Sequence, residues 1–309
     1  MNPHAFPLPD IPADAWTRLP EAREVAELEA VAAEAFAVHD PASVAATPGT
    51  QALIQMLPRL LTGTRVGILG FTYQEHGRVW REAGRSVEVV DRLEHLADFD
   101  IGLVVNPNNP DGRLALPARL AALALDMATA GRRLIVDEAF VEVMGEGASL
   151  APRLPLGGAV LLRSFGKTWG LAGVRLGFAV ADAAFAAMVR RAFGPWAVSG
   201  PAIVVGRAAL ADRAWLAATI PRLQADAARL DGLLAAAGCR IVGGTPLFRL
   251  VEHDAGERFA DHLAAAGIHI RRFPHDRRLF RVGISGPEPS WRRLEVVLAG
   301  YLRPEEVAG

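Results

Sequence analysis

The 309-residue chain has one cysteine, one lysine and no long uncharged run, and each scarcity excludes something. A lone thiol, Cys239, makes no intrachain disulfide and builds no metal cluster, which fits a reducing cytosol; no metal is predicted. The uncharged stretch 192–206 contains Pro195 and Pro201 and falls short of the ~20 apolar residues that cross a bilayer. The opening MNPHAFPLPD lacks a basic segment followed by an apolar core, so it does not read as a secretory signal. Neither sign of charge dominates: 33 basic residues face 34 acidic ones. That balance offers no electrostatic case for a nucleic-acid or anionic-membrane partner and leaves a small molecule as the expected ligand. With 51% hydrophobic and 22% charged residues, disorder and fibrous structure are excluded too.

What is present is a strong bias. All but one of the 33 basic residues are arginine, and Lys167 is the exception. Either residue serves a solvated positive face, so a chain this skewed needs a reason to keep one lysine. Arginine holds its proton in proteins, whereas a lysine amine can lose its proton in a suitable pocket and attack a carbonyl. Survival by chance under a composition bias accounts for the count alone equally well.

Apolar runs ending at polar turns alternate with helical stretches, which predicts a largely parallel sheet covered by helices. The predicted strands cover residues 65–69, 86–90, 101–105, 134–136, 159–162 and 176–180. Their apolar character suits strands buried on both faces. A helix is predicted over 117–130, with Pro117 in its first turn and Gly131 at its C-cap. An Ala/Leu-rich stretch, 201–237, leads to a smaller α+β unit of strand, helix, strand, strand and a final helix over 290–301. The predicted division is an N-terminal arm and helix over 1–40, a large ligand-binding domain over 41–215, and a linking helix with a small domain over 216–309. Tyr73, Asn109, Asp137, Ser164 and Lys167 all fall at or past the carboxyl end of a predicted strand, the edge where open α/β sheets bind ligands.

Several local patterns dissolve on inspection. Gly166-Lys167-Thr168 ends like a phosphate loop, but Leu161 occupies the place of the required glycine. Gly145-Glu146-Gly147 lacks the third glycine of a dinucleotide fingerprint and carries a repelling carboxylate. The histidines, among them His39, His76, His95, His253 and His275, are scattered without metal-ligand spacing. Others persist. Asp137-Glu138-Ala139-Phe140 follows an apolar strand; Asp137 is either a cap or a carboxylate that keeps a cationic ring nitrogen protonated. Asn109 stands between prolines, either as part of a turn or as a rigidly aimed amide. Arg175, flanked by Gly173 and Gly177, suits an anion clamp better than a surface charge.

Together these motifs, Asn-Pro-Asn-Asn-Pro-x-Gly, Asp-Glu-Ala-aromatic, and Ser-Phe-Gly-Lys followed by Gly-Leu-Ala-Gly-x-Arg, resemble the fold-type I pyridoxal-phosphate enzymes. The resembling branch holds histidinol-phosphate aminotransferase and threonine-phosphate decarboxylase. The resemblance runs from about residue 41 to 206 and weakens toward the end. It implies an α/β fold with a large, mostly parallel sheet between helices, a small C-terminal domain, bound pyridoxal 5'-phosphate and a homodimer in the cytoplasm. By resemblance, Lys167 binds the cofactor aldehyde, Asp137 the pyridine nitrogen, and Asn109 the 3-hydroxyl. Ser164 and Arg175 bind the cofactor phosphate, together with the Gly49-Thr50-Gln51 turn. Tyr73 stacks on the ring, and Arg281 takes a substrate carboxylate.

The chain departs from the pattern at Phe140, where many relatives carry tyrosine, and at Leu19, where many carry a tyrosine that reaches the partner's site. Asn2-Pro3 resembles an element that comes later in relatives, so more of the N-terminal arm is expected upstream. The resemblance is stronger toward threonine-phosphate decarboxylases of cobalamin synthesis. It implies loss of CO2 from L-threonine O-3-phosphate, with histidinol-phosphate transamination, or a non-catalytic cofactor-binding role, as alternatives. Arg18, Arg271 and Arg272 are candidates for the substrate phosphate by charge alone, and Arg271 and Arg272 read equally well as solvated residues at a strand end.

Overall fold

The structure, a computed structural model, describes residues 1–302. Its larger sheet contains β1 (Val44–Thr47), β2 (Arg65–Leu69), β3 (Ser86–Val90), β4 (Ile101–Val105), β5 (Arg133–Asp137), β6 (Ala159–Ser164) and β7 (Gly177–Val180), in the order β1-β7-β6-β5-β4-β2-β3. From β3 to β6 all neighbours are parallel. Strand β1, which the sequence did not announce, and β7 depart from this: β7 runs antiparallel to both β6 and β1. The reversal matters for the site, because it pairs Gly177 with both Ser164 and Thr47. The beginning of β7 and the ends of β1 and β6 thus share one edge with the end of β5.

Strands β4, β6 and β7 are buried along their whole length, as apolar runs require, and Arg163 of β6 is buried with them. Strand β3 is not; it is the outer strand, and Glu88 and Val89 face solvent. One apolar cluster below the sheet gathers side chains from the helices Ala22–Ala35, Pro117–Thr129 and Gly200–Ala211. The opposite face is covered by Thr50–Leu60, Gln74–Glu82 and Ala183–Phe193. Each fully buried side chain such as Leu53, Leu57 or Phe178 contributes about 1.5–3 kcal/mol of apolar transfer. Leu28, Ala32, Ala33 and Phe36 belong to this core, so the helix expected within residues 1–40 packs against the large sheet as Ala22–Ala35. Pro117 opens its helix and Gly131 follows the helix end at φ +71°.

The 201–237 stretch folds as two helices, Gly200–Ala211 and Arg213–Ala236, parted at Asp212, whose carboxylate accepts the Trp215 N–H at 2.8 Å. The second helix therefore starts before the predicted boundary at 216. It carries Leu223 against Phe140, Leu247 and Phe248, and Leu230 and Leu234 into the core of the smaller unit. That unit has one strand more than predicted: β8 (Arg240–Thr245), β9 (Phe248–Glu252), β10 (Arg271–Phe273) and β11 (Asp276–Gly283), all antiparallel, with helices Gly256–Ala265 and Glu288–Leu302. Among the described residues no helix is long and apolar enough to cross a membrane.

Candidate active site

At the shared edge, the helix Thr50–Leu60 begins with Gly49 at φ +87° and no side-chain cap. Its first N–H groups therefore have no partner within the helix, the usual condition for binding an anion. Two glycines allow the close approach. A Cβ on Gly49 would lie 2.8 Å from Arg175 Nη2, and one on Gly177 would lie 2.6 Å from the Thr50 nitrogen. Arg175 occupies the left-handed region at φ +56°, and its Nη1 donates to the Ala172 carbonyl at 3.0 Å. Ser164, the last residue of β6, completes this end of the cavity.

Asp137 ends β5 and is nearly inaccessible. Both of its oxygens are engaged: Oδ2 accepts from His76 Nε2 at 2.8 Å and Oδ1 from the Ala139 N–H at 3.0 Å. His76 is wholly buried, and its Nδ1 has no partner. Nothing in its sequence spacing marked it, yet a signal existed. It shares the buried face of the helix Gln74–Glu82 with Val79 and Trp80, where an unpartnered imidazole is costly. Tyr73 precedes that helix, and its hydroxyl donates to Gln51 Oε1 at 3.2 Å. Gln51 Nε2 in turn donates to Glu75 Oε2 at 3.0 Å. Burial, then the carboxylates of Glu75 and Asp137, raise the Tyr73 hydroxyl above its ordinary value and keep it a donor.

Lys167 lies on the one-turn helix Phe165–Thr168, with Nζ 5.8 Å from the centre of the Phe140 ring. Burial pushes its amine below the ordinary lysine value, and Arg281 and Arg175 push the same way against Asp137. A neutral amine is the nucleophilic form. Arg281, on β11, lies 5.1 Å over Phe248, and its Nη1 donates to Asn109 Oδ1. That bond occupies the amide oxygen of Asn109 and leaves its NH₂ group as a donor. The ten residues to which the resemblance gives a role, Gly49, Thr50, Gln51, Tyr73, Asn109, Asp137, Ser164, Lys167, Arg175 and Arg281, line one cavity of about 370 Å³.

An adjoining vestibule of about 670 Å³ shares Tyr73, Asn109 and Arg281 and adds Arg271, His275 and Phe71. Of the three arginines proposed for a substrate phosphate, only Arg271 reaches it. Arg18 pairs with Glu21 and lines a separate hollow. Arg272 donates to Asp261 at 2.6 Å. Leu19 is exposed and lies outside both cavities.

The Aminotransferase class I and II family model matches residues 14–296. The chain belongs to this family. It is 40% identical to the threonine-phosphate decarboxylase of Pseudomonas aeruginosa, over 98% of this chain and 91% of that protein. It is 39% identical to a threonine-phosphate decarboxylase of a Sinorhizobium species, over 97% and 90%. Among solved structures, the histidinol-phosphate aminotransferase of Sinorhizobium meliloti in complex with pyridoxal-5'-phosphate superposes with a TM-score of 0.81 at 22% identity, covering 93% of this chain and 83% of that one. The fold is that of the fold-type I branch of the aminotransferase family.

The cavity fits pyridoxal phosphate, the cofactor of this family, on its own chemistry. It offers unclaimed N–H donors, a hydroxyl and a guanidinium at one end, a carboxylate fixed on both oxygens at the other, and the chain's only lysine amine between strand ends.

Proposed function

We propose that this member of the aminotransferase family is a pyridoxal-phosphate-dependent lyase. It removes CO2 from L-threonine O-3-phosphate to give (R)-1-amino-2-propanol O-2-phosphate, the side-chain precursor of cobalamin biosynthesis. The observation that carries this reading is the 40% identity to a threonine-phosphate decarboxylase across nearly the whole chain.

When bound, pyridoxal phosphate supplies the electron sink for the bond that breaks at the substrate α-carbon. Lys167 would hold the cofactor aldehyde, and its amine, whose hold on a proton burial weakens, is suited to move a proton at the α-carbon. Asp137, oriented by His76 and the Ala139 N–H, keeps the ring nitrogen protonated. The N–H groups after Gly49, with Ser164 and Arg175, hold the cofactor phosphate. Tyr73 would stack on the ring, and Asn109 would donate to its 3-oxygen. With Phe140 at the place of the family tyrosine, Asn109 does so alone. Arg281 takes the substrate carboxylate, and Arg271, across the vestibule, takes its phosphate.

A homodimer in the cytoplasm completes the proposal. Exposed Trp16, Leu19 and Trp196 support the dimer, and the single buried thiol fits the compartment. The deciding experiment supplies threonine phosphate to the cofactor-loaded enzyme and follows CO2. Release without 2-oxoglutarate is expected. Stoichiometric glutamate formed from histidinol phosphate and 2-oxoglutarate, with no CO2 from threonine phosphate, would replace the lyase by an aminotransferase.

A further inference from the structure

Lys167 rides on a helix of four residues, Phe165–Thr168. A single turn has none of the cooperativity that stabilises longer helices, and its carbonyls find no acceptor role inside it. Whatever fixes the lysine must therefore act from outside the turn, and two sets of contacts do so.

On one side stands Asn2, 3% exposed. Its N–H donates to the Lys167 carbonyl at 2.9 Å, and its Nδ2 donates to the Thr168 carbonyl at 2.7 Å. The Asn2 amide is itself held, because Oδ1 accepts the His4 N–H at 2.8 Å. On the other side, the Thr168 hydroxyl donates to Glu142 Oε2 at 3.3 Å. Glu142 Oε1 accepts from Arg163 Nη2 at 2.8 Å, and Arg163 Nη1 donates to Glu138 Oε2, also at 2.8 Å. Glu138 further accepts the Leu150 N–H at 2.7 Å and the Ser149 hydroxyl at 2.6 Å.

The three charged side chains, Arg163, Glu138 and Glu142, are 4%, 0% and 5% exposed. A buried ionic cluster is weak evidence for stability, since well-packed apolar residues of the same volume do as well. Its location supplies a better reason. Glu138 comes directly after Asp137, the last residue of β5, and Arg163 precedes Ser164 at the end of β6, so the cluster ties together two adjacent strand ends that carry the site.

We propose that Asn2 and Glu142 are positioning residues for Lys167, gripping its turn through the backbone carbonyls on one side and through the Thr168 hydroxyl on the other. The inference rests on the reading that Lys167 carries the cofactor.

Thr168→Val tests it, because the substitution keeps the volume and removes only the hydroxyl; Thr168→Ser keeps the hydroxyl, and Asn2→Ala releases the other side. Thr168→Val is expected to lower kcat about tenfold, with KM within about twofold, while Thr168→Ser stays within about twofold of the parent enzyme on both. A second readout needs no turnover. Lys167 is the only lysine, so the pH midpoint of its acetylation in the cofactor-free protein, read by mass spectrometry, reports its amine directly. The charged groups facing that amine are Asp137, Arg175 and Arg281, and none is altered by these variants. Loosening the turn lets the amine reach water, so the midpoint is expected to rise in Thr168→Val and Asn2→Ala and to stay in place in Thr168→Ser. A Thr168→Val enzyme with parental kcat and midpoint overturns the inference, as does an equal loss in Val and Ser variants, which would assign the effect to packing. A parent enzyme that shows no visible cofactor band and releases no CO2 would instead overturn the reading of the site.

Discussion

An amine enclosed beside two guanidinium groups holds its proton poorly, and Lys167 is in that position. Because its folded value lies below the unfolded 10.5, the unfolded chain binds more protons over that interval. This site therefore costs the cofactor-free protein stability at low pH, and the cost disappears as pH rises through the folded value toward 10.5. Lys167→Met, which removes the charge and keeps the length, is expected to unfold at higher urea than the parent near pH 7. The gap should close toward pH 10, and the variant should show neither cofactor band nor turnover. A gap that does not change with pH would mean that burial does not perturb this amine. The residues of this cavity were legible because each carries chemistry in a setting with little else to explain it: one lysine among arginines, an asparagine between prolines, an aspartate closing an apolar strand. His76 and the acidic partners of Arg163 were not. Their roles exist only once β5, β6 and the helix Gln74–Glu82 lie side by side, although a charged residue inside the apolar β6 was a sign that a buried partner existed.

At the scale of elements, strand positions were legible and strand direction was not, because an apolar run reads the same either way. The segment 165–176 between β6 and β7 is taken up by the lysine turn and the Arg175 turn, leaving no helix to cross the sheet, so β7 must return antiparallel. The return sets Gly177 against the start of the helix Thr50–Leu60. Gly177→Ala would place a methyl group 2.6 Å from the Thr50 nitrogen, where only backbone can yield. Displacing that helix start is expected to cost about 1–3 kcal/mol of stability and to weaken pyridoxal phosphate binding more than tenfold, measured by equilibrium dialysis. The same substitution at Gly283, where an added Cβ meets nothing within 4 Å, should leave both unchanged. Parental cofactor affinity in Gly177→Ala would show that the helix start takes no part in holding the phosphate.

Across the whole molecule, one large hollow shares no lining residue with this chemistry. It is an apolar groove of about 900 Å³ lined by Pro20, Val25, Phe193, Trp196 and Val198, and the hollow next to it shares Pro20 and carries Leu19. Trp16, Leu19 and Trp196 are 66%, 63% and 58% exposed. Soluble monomers seldom leave so much large apolar surface in one region, and the homodimer proposed above would cover it with the least new machinery. No window of sequence could announce this face, because residues 16–25 and 193–198 meet only after the chain has folded. Sedimentation equilibrium at micromolar concentration is expected to give twice the 33.0 kDa chain mass. Trp196→Glu puts a charge at the edge of the groove, and losing an aromatic anchor there is expected to weaken the dimer by about 2 kcal/mol, roughly thirtyfold in Kd. Because Trp196 lies outside both the cofactor cavity and the vestibule, the variant should keep its cofactor band at high protein concentration. A parent protein that sediments as a single chain, or a Trp196→Glu dimer of unchanged Kd, would place the partner elsewhere or remove it.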